Sequence, residues 1–211
     1  VIGSANGTSP RTARRHYELI AGHPVLDLVN TLDWRFRDDT PEELLNDYGD
    51  LVRFTEQAGL IGNTQARRLL RNTSESKAAS VVAALRELRE AAAAVFYAAL
   101  DDVEPPASSV ALLEGFFKRA QESQRLHRVG AKLAWGLTRS TSLPELPLWL
   151  ISLSAAELMT SNEMDRVRAC GNPECRWLFL DTSKNHTRRW CDMKICGNRM
   201  KARRFKAQHR A

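Results

Sequence analysis

Cys170-Gly171-Asn172-Pro173-Glu174-Cys175, then fifteen residues, then Cys191-Asp192-Met193-Lys194-Ile195-Cys196, is the stretch around which this chain is organised. These are its only four cysteines. Two spaced pairs of thiols are what a tetrahedral zinc ion requires, each pair offering two thiolates from one tight knuckle. Four thiolates close the coordination sphere and leave no position for water, so one Zn²⁺ here is expected to be structural and not catalytic. His186 lies between the pairs and is a candidate replacement ligand, although the set is complete without it. Two disulfides are the alternative. They fit poorly with the cytoplasmic location expected below, where thiols stay reduced.

Working outward, Asn172-Pro173 supplies turn chemistry inside the first knuckle. Trp177 to Leu180 reads as a short strand beside the metal, Asp181 to Asn185 as a polar turn, and Arg188 to Cys191 as a returning second strand. Asn198 to Gln208 is expected to be helical, with Met200, Ala202 and Phe205 anchoring one side. Charge separates this region from the rest. Residues 162–211 hold thirteen Lys and Arg against five Asp and Glu, while everything before them is slightly acidic. Four thiolates around one Zn²⁺ take two charges back, so the folded module keeps a clear positive excess. Basic residues clustered beside a rigid knuckle point to nucleic acid. The candidate contacts are Arg188, Arg189, Arg199, Lys201, Arg203, Arg204 and Lys206. Most would meet phosphate, and some arginines could fork onto guanine. Trp177 and Trp190 read as shields packed on the zinc.

Upstream, Val1 to Arg15 reads as a flexible head. From Tyr17 an apolar segment carries Asp27, Asn30 and Asp33 at helical spacing. A Thr40-to-Glu43 capping box, with Pro41 in the first turn, predicts a helix that Gly59 stops. A short helix from Asn63 or Thr64 and a long Ala-rich helix from Ser76 to Leu100 follow, then one from Ser109 to Ser123. The alternation from Arg125 to Thr138 predicts a small hairpin turning near Gly130, and Leu143 to Thr160 a last apolar helix. The fold class expected is mainly α: a helical domain over residues 16–161 with one β-hairpin, then a four-cysteine finger with a basic helix over 162–211. No apolar run of about eighteen residues exists, so no membrane span is expected. The start lacks the order of a signal peptide, so a cytoplasmic location is expected. Nucleophile elbows, phosphate loops and His-Glu metal motifs are missing, so no enzymatic activity is expected.

The knuckle residues carry a resemblance. Cys170 to Cys175, Trp177-Leu178-Phe179-Leu180-Asp181, Arg188-Arg189-Trp190-Cys191 and Cys196-Gly197-Asn198-Arg199 closely resemble the CGNR zinc-finger family. Leu26-Asp27-Leu28-Val29-Asn30-Thr31-Leu32, then Asp33-Trp34-Arg35 and Ala58-Gly59-Leu60, resemble the ABATE domain that usually precedes it. The resemblance implies a bacterial, stress-linked transcription regulator whose four cysteines all ligate zinc.

The function expected is a zinc-dependent, DNA-binding regulator whose helical domain senses a signal or dimerises. An RNA-binding module, or a small-molecule-binding protein whose finger is a docking surface, are the alternatives. Asp27, Asn30, Asp33, Trp34 and Arg35 are the candidates for a ligand pocket. The competing reading gives Asp27 and Asn30 to backbone partners and Trp34 to the core. Metal removal is expected to unfold the last forty-odd residues and to spare the helical domain.

Overall fold

A six-residue helix, Pro24–Val29 (α1), sits at the centre of a computed structural model that describes residues 16–37, 41–137 and 143–209. The head at 1–15, Thr40 and Arg210 lie outside the described residues. Proline opens α1, where its missing N–H costs nothing. Val25, Leu26, Leu28 and Val29 are all buried, because a helix apolar over most of its surface must be surrounded. Two of the elements surrounding it are long helices described below; the third is a strand of the cysteine-rich region.

After α1 the chain makes a two-residue strand, Leu32–Asp33 (β1), antiparallel to Glu42–Glu43 (β2). The Thr40-to-Glu43 capping box therefore opens no helix. The carboxylate of Glu43 accepts instead from Arg89 Nη1 and Nη2 at 2.8 and 2.7 Å. Arg89 is buried, and a guanidinium out of water needs a carboxylate beside it. The helix starts later, at Tyr48–Gln57 (α2). Asp47 accepts from Asp50 N at 2.8 Å, and Asp50 accepts in turn from Asn46 N at 2.9 Å. It ends as expected at Gly59, whose φ of +74° closes a Schellman turn with Leu60 N donating to Thr55 O.

Asn63–Asn72 (α3) and the 26-residue Glu75–Leu100 (α4) follow, the second capped by Ser74. Ala91, Ala92 and Ala93 are buried along α4, and residues this small let its neighbours approach closely. Ala107–Glu122 (α5) leads into the hairpin Gln124–Val129 (β3) and Lys132–Leu137 (β4), turning at Gly130 with φ +61°. Leu146–Met159 (α6) packs on α5 and α1. No helix among the described residues is long and apolar enough to cross a membrane.

The chain then makes a 3-10 turn, Asn162–Arg166, and the strand Val167–Ala169 (β5). This pairs antiparallel with Leu178–Leu180 (β6), Val167 opposite Leu180. The returning strand expected at Arg188 to Cys191 does not form, and β6 takes its partner from before the first cysteine. The reason is local: Arg188 N donates to the Asp181 carboxylate at 3.0 Å and Arg189 O accepts from Gly171 N at 2.9 Å, so neither serves a ladder. A π-helical turn, Met193–Gly197, runs into Asn198–Gln208 (α7), where a helix was expected.

One hydrophobic core serves both segments. Leu178, Phe179 and Leu180 are buried in the same cluster as Leu26, Leu28, Phe54 and Phe96. Leu180 N donates to Ala21 O at 2.7 Å, extending β6 toward the turn before α1. The cysteine-rich region is thus seated on the helical one and is not a separate bead.

Candidate metal centre

The four cysteines converge. Cys170 directly follows β5, and its N donates to Trp177 O at 2.8 Å, continuing the β5–β6 ladder. Asn172 O then accepts from both Cys175 N and Arg176 N at 3.0 Å, which folds the first knuckle. In the second, Asp192 Oδ1 accepts from Lys194 N and Ile195 N at 2.6 and 3.0 Å, and Gly197 N closes on Asp192 O at 3.1 Å. All four Sγ atoms lie within 4.8 Å of one another, and all four residues are buried. None forms a disulfide.

This donor set fits a tetrahedral ion. Metal–sulfur bonds of about 2.3 Å at tetrahedral angles put sulfurs about 3.8 Å apart. The Cys175 and Cys191 sulfurs are 3.7 Å apart. Ionisation points the same way. Cys170 is driven far below the usual thiol range because Cys175 and Cys191 hydrogen-bond to its sulfur. Cys175 is pushed up chiefly by its bonds with Cys170 and Cys191, and Cys191 chiefly by that with Cys170. Thiols this close cannot all ionise unless a cation sits among them.

Outer contacts fix the ligands. Asn172, fully buried, donates Nδ2 to Cys196 Sγ at 3.6 Å. Trp190 lies over both Cys-Gly steps: a Cβ on Gly171 or on Gly197 would come within 3.2 Å of its ring. That contact favours glycine after Cys170 and after Cys196, and Met193 crowds Gly197 further. His186 is exposed, with Nδ1 3.1 Å from Asp181 O, and stands outside the cluster.

The proposed nucleic-acid contacts fall into two groups. Arg188 is turned inward: it donates to Ile20 O, Trp190 O and Cys191 O, and lies 4.2 Å over the Phe179 ring. Arg199 lies 5.0 Å over Trp34, and Arg203 pairs with Glu174 at 2.6 Å. Lys201, Arg204 and Lys206 are exposed on α7, and Arg189 is exposed beside Trp190. Ala202 and Phe205 are exposed as well, so they do not anchor α7; beyond Met200 the helix is solvated all round.

Of the five residues proposed for a ligand pocket, Asn30, Asp33 and Trp34 touch the cysteine-rich segment, while Asp27 and Arg35 bond within the helical one. Asn30 Nδ2 donates to Leu178 O at 2.9 Å and its Oδ1 accepts from Leu178 N at 2.8 Å, as a neighbouring strand would. Asp33 accepts from Trp177 Nε1 at 2.9 Å. Asp27 accepts from Ala21 N at 3.0 Å, and burial pushes its carboxyl up to about 6 against the pull of the Ala21 and Ile20 amides. Arg35 pairs with Glu90. Trp34, with φ +52°, is clasped by Arg37 at 3.5 Å and Arg199. Asp33 and Trp34 do border a cavity, but it is only about 80 Å³ and its other walls include Cys175, Cys191 and Cys196. Ligand pockets run to hundreds of Å³.

Sequence reasoning passed over Asn172 and Asp181 as structural residues. Asp181, buried, accepts from Ser183 N, Ser183 Oγ and Arg188 N. The only signal available was a turn composition.

A helical domain carrying a zinc-finger-type four-thiolate centre is the class this arrangement defines. Residues 22–162 match the model of the ABATE family, described as "putative stress-induced transcription regulator", and residues 166–209 match the CGNR zinc finger. The chain belongs to the ABATE family and carries a C-terminal CGNR finger. Among curated proteins nothing matches it.

Proposed function

We infer that the chain is a transcription regulator that binds one structural zinc ion and contacts DNA through α7. One observation carries this reading: every residue from Lys201 to His209 is exposed, and no acidic residue follows Asp192. A basic helix with no buried face leaves Lys201, Arg204 and Lys206 open to a polyanion. Its first turn follows Cys196 directly, and Arg199 is seated on Trp34, so the centre aims the helix as a groove-reading element requires. Zinc is supported by four thiolates, by their spacing and by the match to a zinc-finger family. Its part is structural, because four thiolates fill the coordination sphere.

Lys201, Arg204 and Lys206 are the phosphate-contacting side chains in this reading, with Arg189 as a further contact. The experiment is titration of labelled duplex DNA, chosen from a random library, with zinc-loaded protein at several salt concentrations. Affinity should fall with salt at a slope of about 0.9 per phosphate contacted. Arg204→Ala and Lys201→Ala should each reduce that slope by about one contact without lowering stability. No binding at low salt sinks the reading; preferential competition by single-stranded RNA transfers it to RNA.

A further inference from the structure

The geometry points to self-association: the β3–β4 hairpin is an arm that lies in the α5 groove of a second copy of this chain, each copy giving and receiving one arm. The two strands pair only with each other and join no larger sheet among the described residues. A two-stranded ribbon alone is marginal in water. The register puts Leu126 opposite Trp135 and Arg128 opposite Leu133, so these four share one face. That face is open: Leu126 is 53%, Leu133 69% and Trp135 64% exposed. Scattered apolar residues on a surface need no explanation, but a contiguous stripe containing a tryptophan does. His127 lies on the opposite face against Gly136, where an added Cβ would clash with its ring.

The receiving surface is a groove along α5. It holds about 380 Å³, floored by Val110, Leu113 and Phe117 of α5 with Val95 of α4 and Met159 of α6, and its rim carries the ion-paired Glu114 and Lys118. Val110 is 46% exposed. Dimensions match. Six-residue strands make an arm about 20 Å long, and the 16-residue α5 runs about 24 Å.

Area argues for a second copy over any single-sided guest. Four large side chains of an arm cover about 400 Å². One arm in one groove buries too little for a stable complex, but two arms and two grooves reach about 1,600 Å², the size of a standard specific interface. Only a second copy related by a twofold axis supplies both.

The test uses the full zinc-loaded chain in sedimentation equilibrium up to about 50 µM, above the micromolar end of affinities such areas reach. The wild type should weigh twice 23.8 kDa. Trp135→Asp in the arm and Val110→Asp in the groove should each raise the dissociation constant about a hundredfold or more, since every change enters a twofold interface twice. Val103→Asp, at an exposed apolar residue outside both surfaces, should leave the dimer intact. Because all three side chains are exposed, unchanged thermal melts of the variants' monomers check that folding is untouched. A monomeric wild type, or a dimer that survives either arm or groove change, overturns the proposal. So does a monomer in which Trp135→Asp instead abolishes binding to anionic vesicles or duplex DNA.

Discussion

Asn30→Ala removes a side chain that joins the helical segment to the finger strand through both backbone groups of a single residue. In the folded chain Leu178 is fully buried, and its N–H and C=O both bond Asn30, at 2.8 and 2.9 Å. Alanine leaves both unpaired, and each buried unpaired group costs about 1–3 kcal/mol. The expected loss is about 4 kcal/mol, which moves a urea midpoint down by about 1.5 M at the slope typical of a chain this size. Equilibrium unfolding of the zinc-loaded protein should be followed by far-UV circular dichroism, which reports α1 to α6, and by tryptophan fluorescence. The shift should appear equally in both, because β6 and α1 share one core. Asn30→Asp sharpens the test. Its carboxylate can still accept from Leu178 N but repels Leu178 O. Protonation turns one oxygen into a donor and restores the pair. The introduced carboxyl therefore has a raised folded-state pKa, and its penalty is present at neutral pH and shrinks as pH falls through that value. A loss below about 1 kcal/mol for Asn30→Ala, or a shift confined to fluorescence, would refute the reasoning.

Two further expectations concern the metal and pH. Metal removal should reach beyond the finger: a chelator is expected to lower the melting temperature of the helical signal too, since thiolate binding energies of about 10–16 kcal/mol stand behind the knuckles that hold β6 against α1; a helical melt identical with and without metal would count against it. Asp27→Asn should remove a pH dependence. The folded-state pKa of Asp27 is raised to about 6, so ionising it costs stability, and wild-type stability relative to the variant should decline as pH rises from about 4 to about 6 and stay level above. Thermal melts of both proteins across that range measure it, and a constant difference would be fatal.

Much of the metal centre could be read along the chain, because a knuckle is local. Spacing of four cysteines, Asn-Pro in one loop and a glycine after Cys170 and Cys196 are near-neighbour chemistry, and the sulfurs meet where that chemistry predicts. Helices with strong internal signals, such as α4 and the Gly59 stop of α2, were equally legible. Elsewhere a local pattern lost to a distant partner. Thr40 to Glu43 has the letters of a capping box, but Arg89, buried 46 positions downstream of Glu43, claims that carboxylate. Arg188 belongs by composition to a basic surface, yet three carbonyls and the Phe179 ring hold it inside.

By itself, then, the sequence determined a mainly helical chain with a four-thiolate centre and a basic last helix, since periodicity, caps and cysteine spacing act over a few residues. Only the tertiary structure decided that Asn30 pairs with a strand 148 residues away, and that β5 rather than residues 188–191 completes the finger's sheet. The same structure placed Asn30 and Asp33 at the joint between domain and finger, and Asp27 on the Ala21 amide before α1. A polar side chain's composition states that it must be satisfied, and only the packed chain states by which atom.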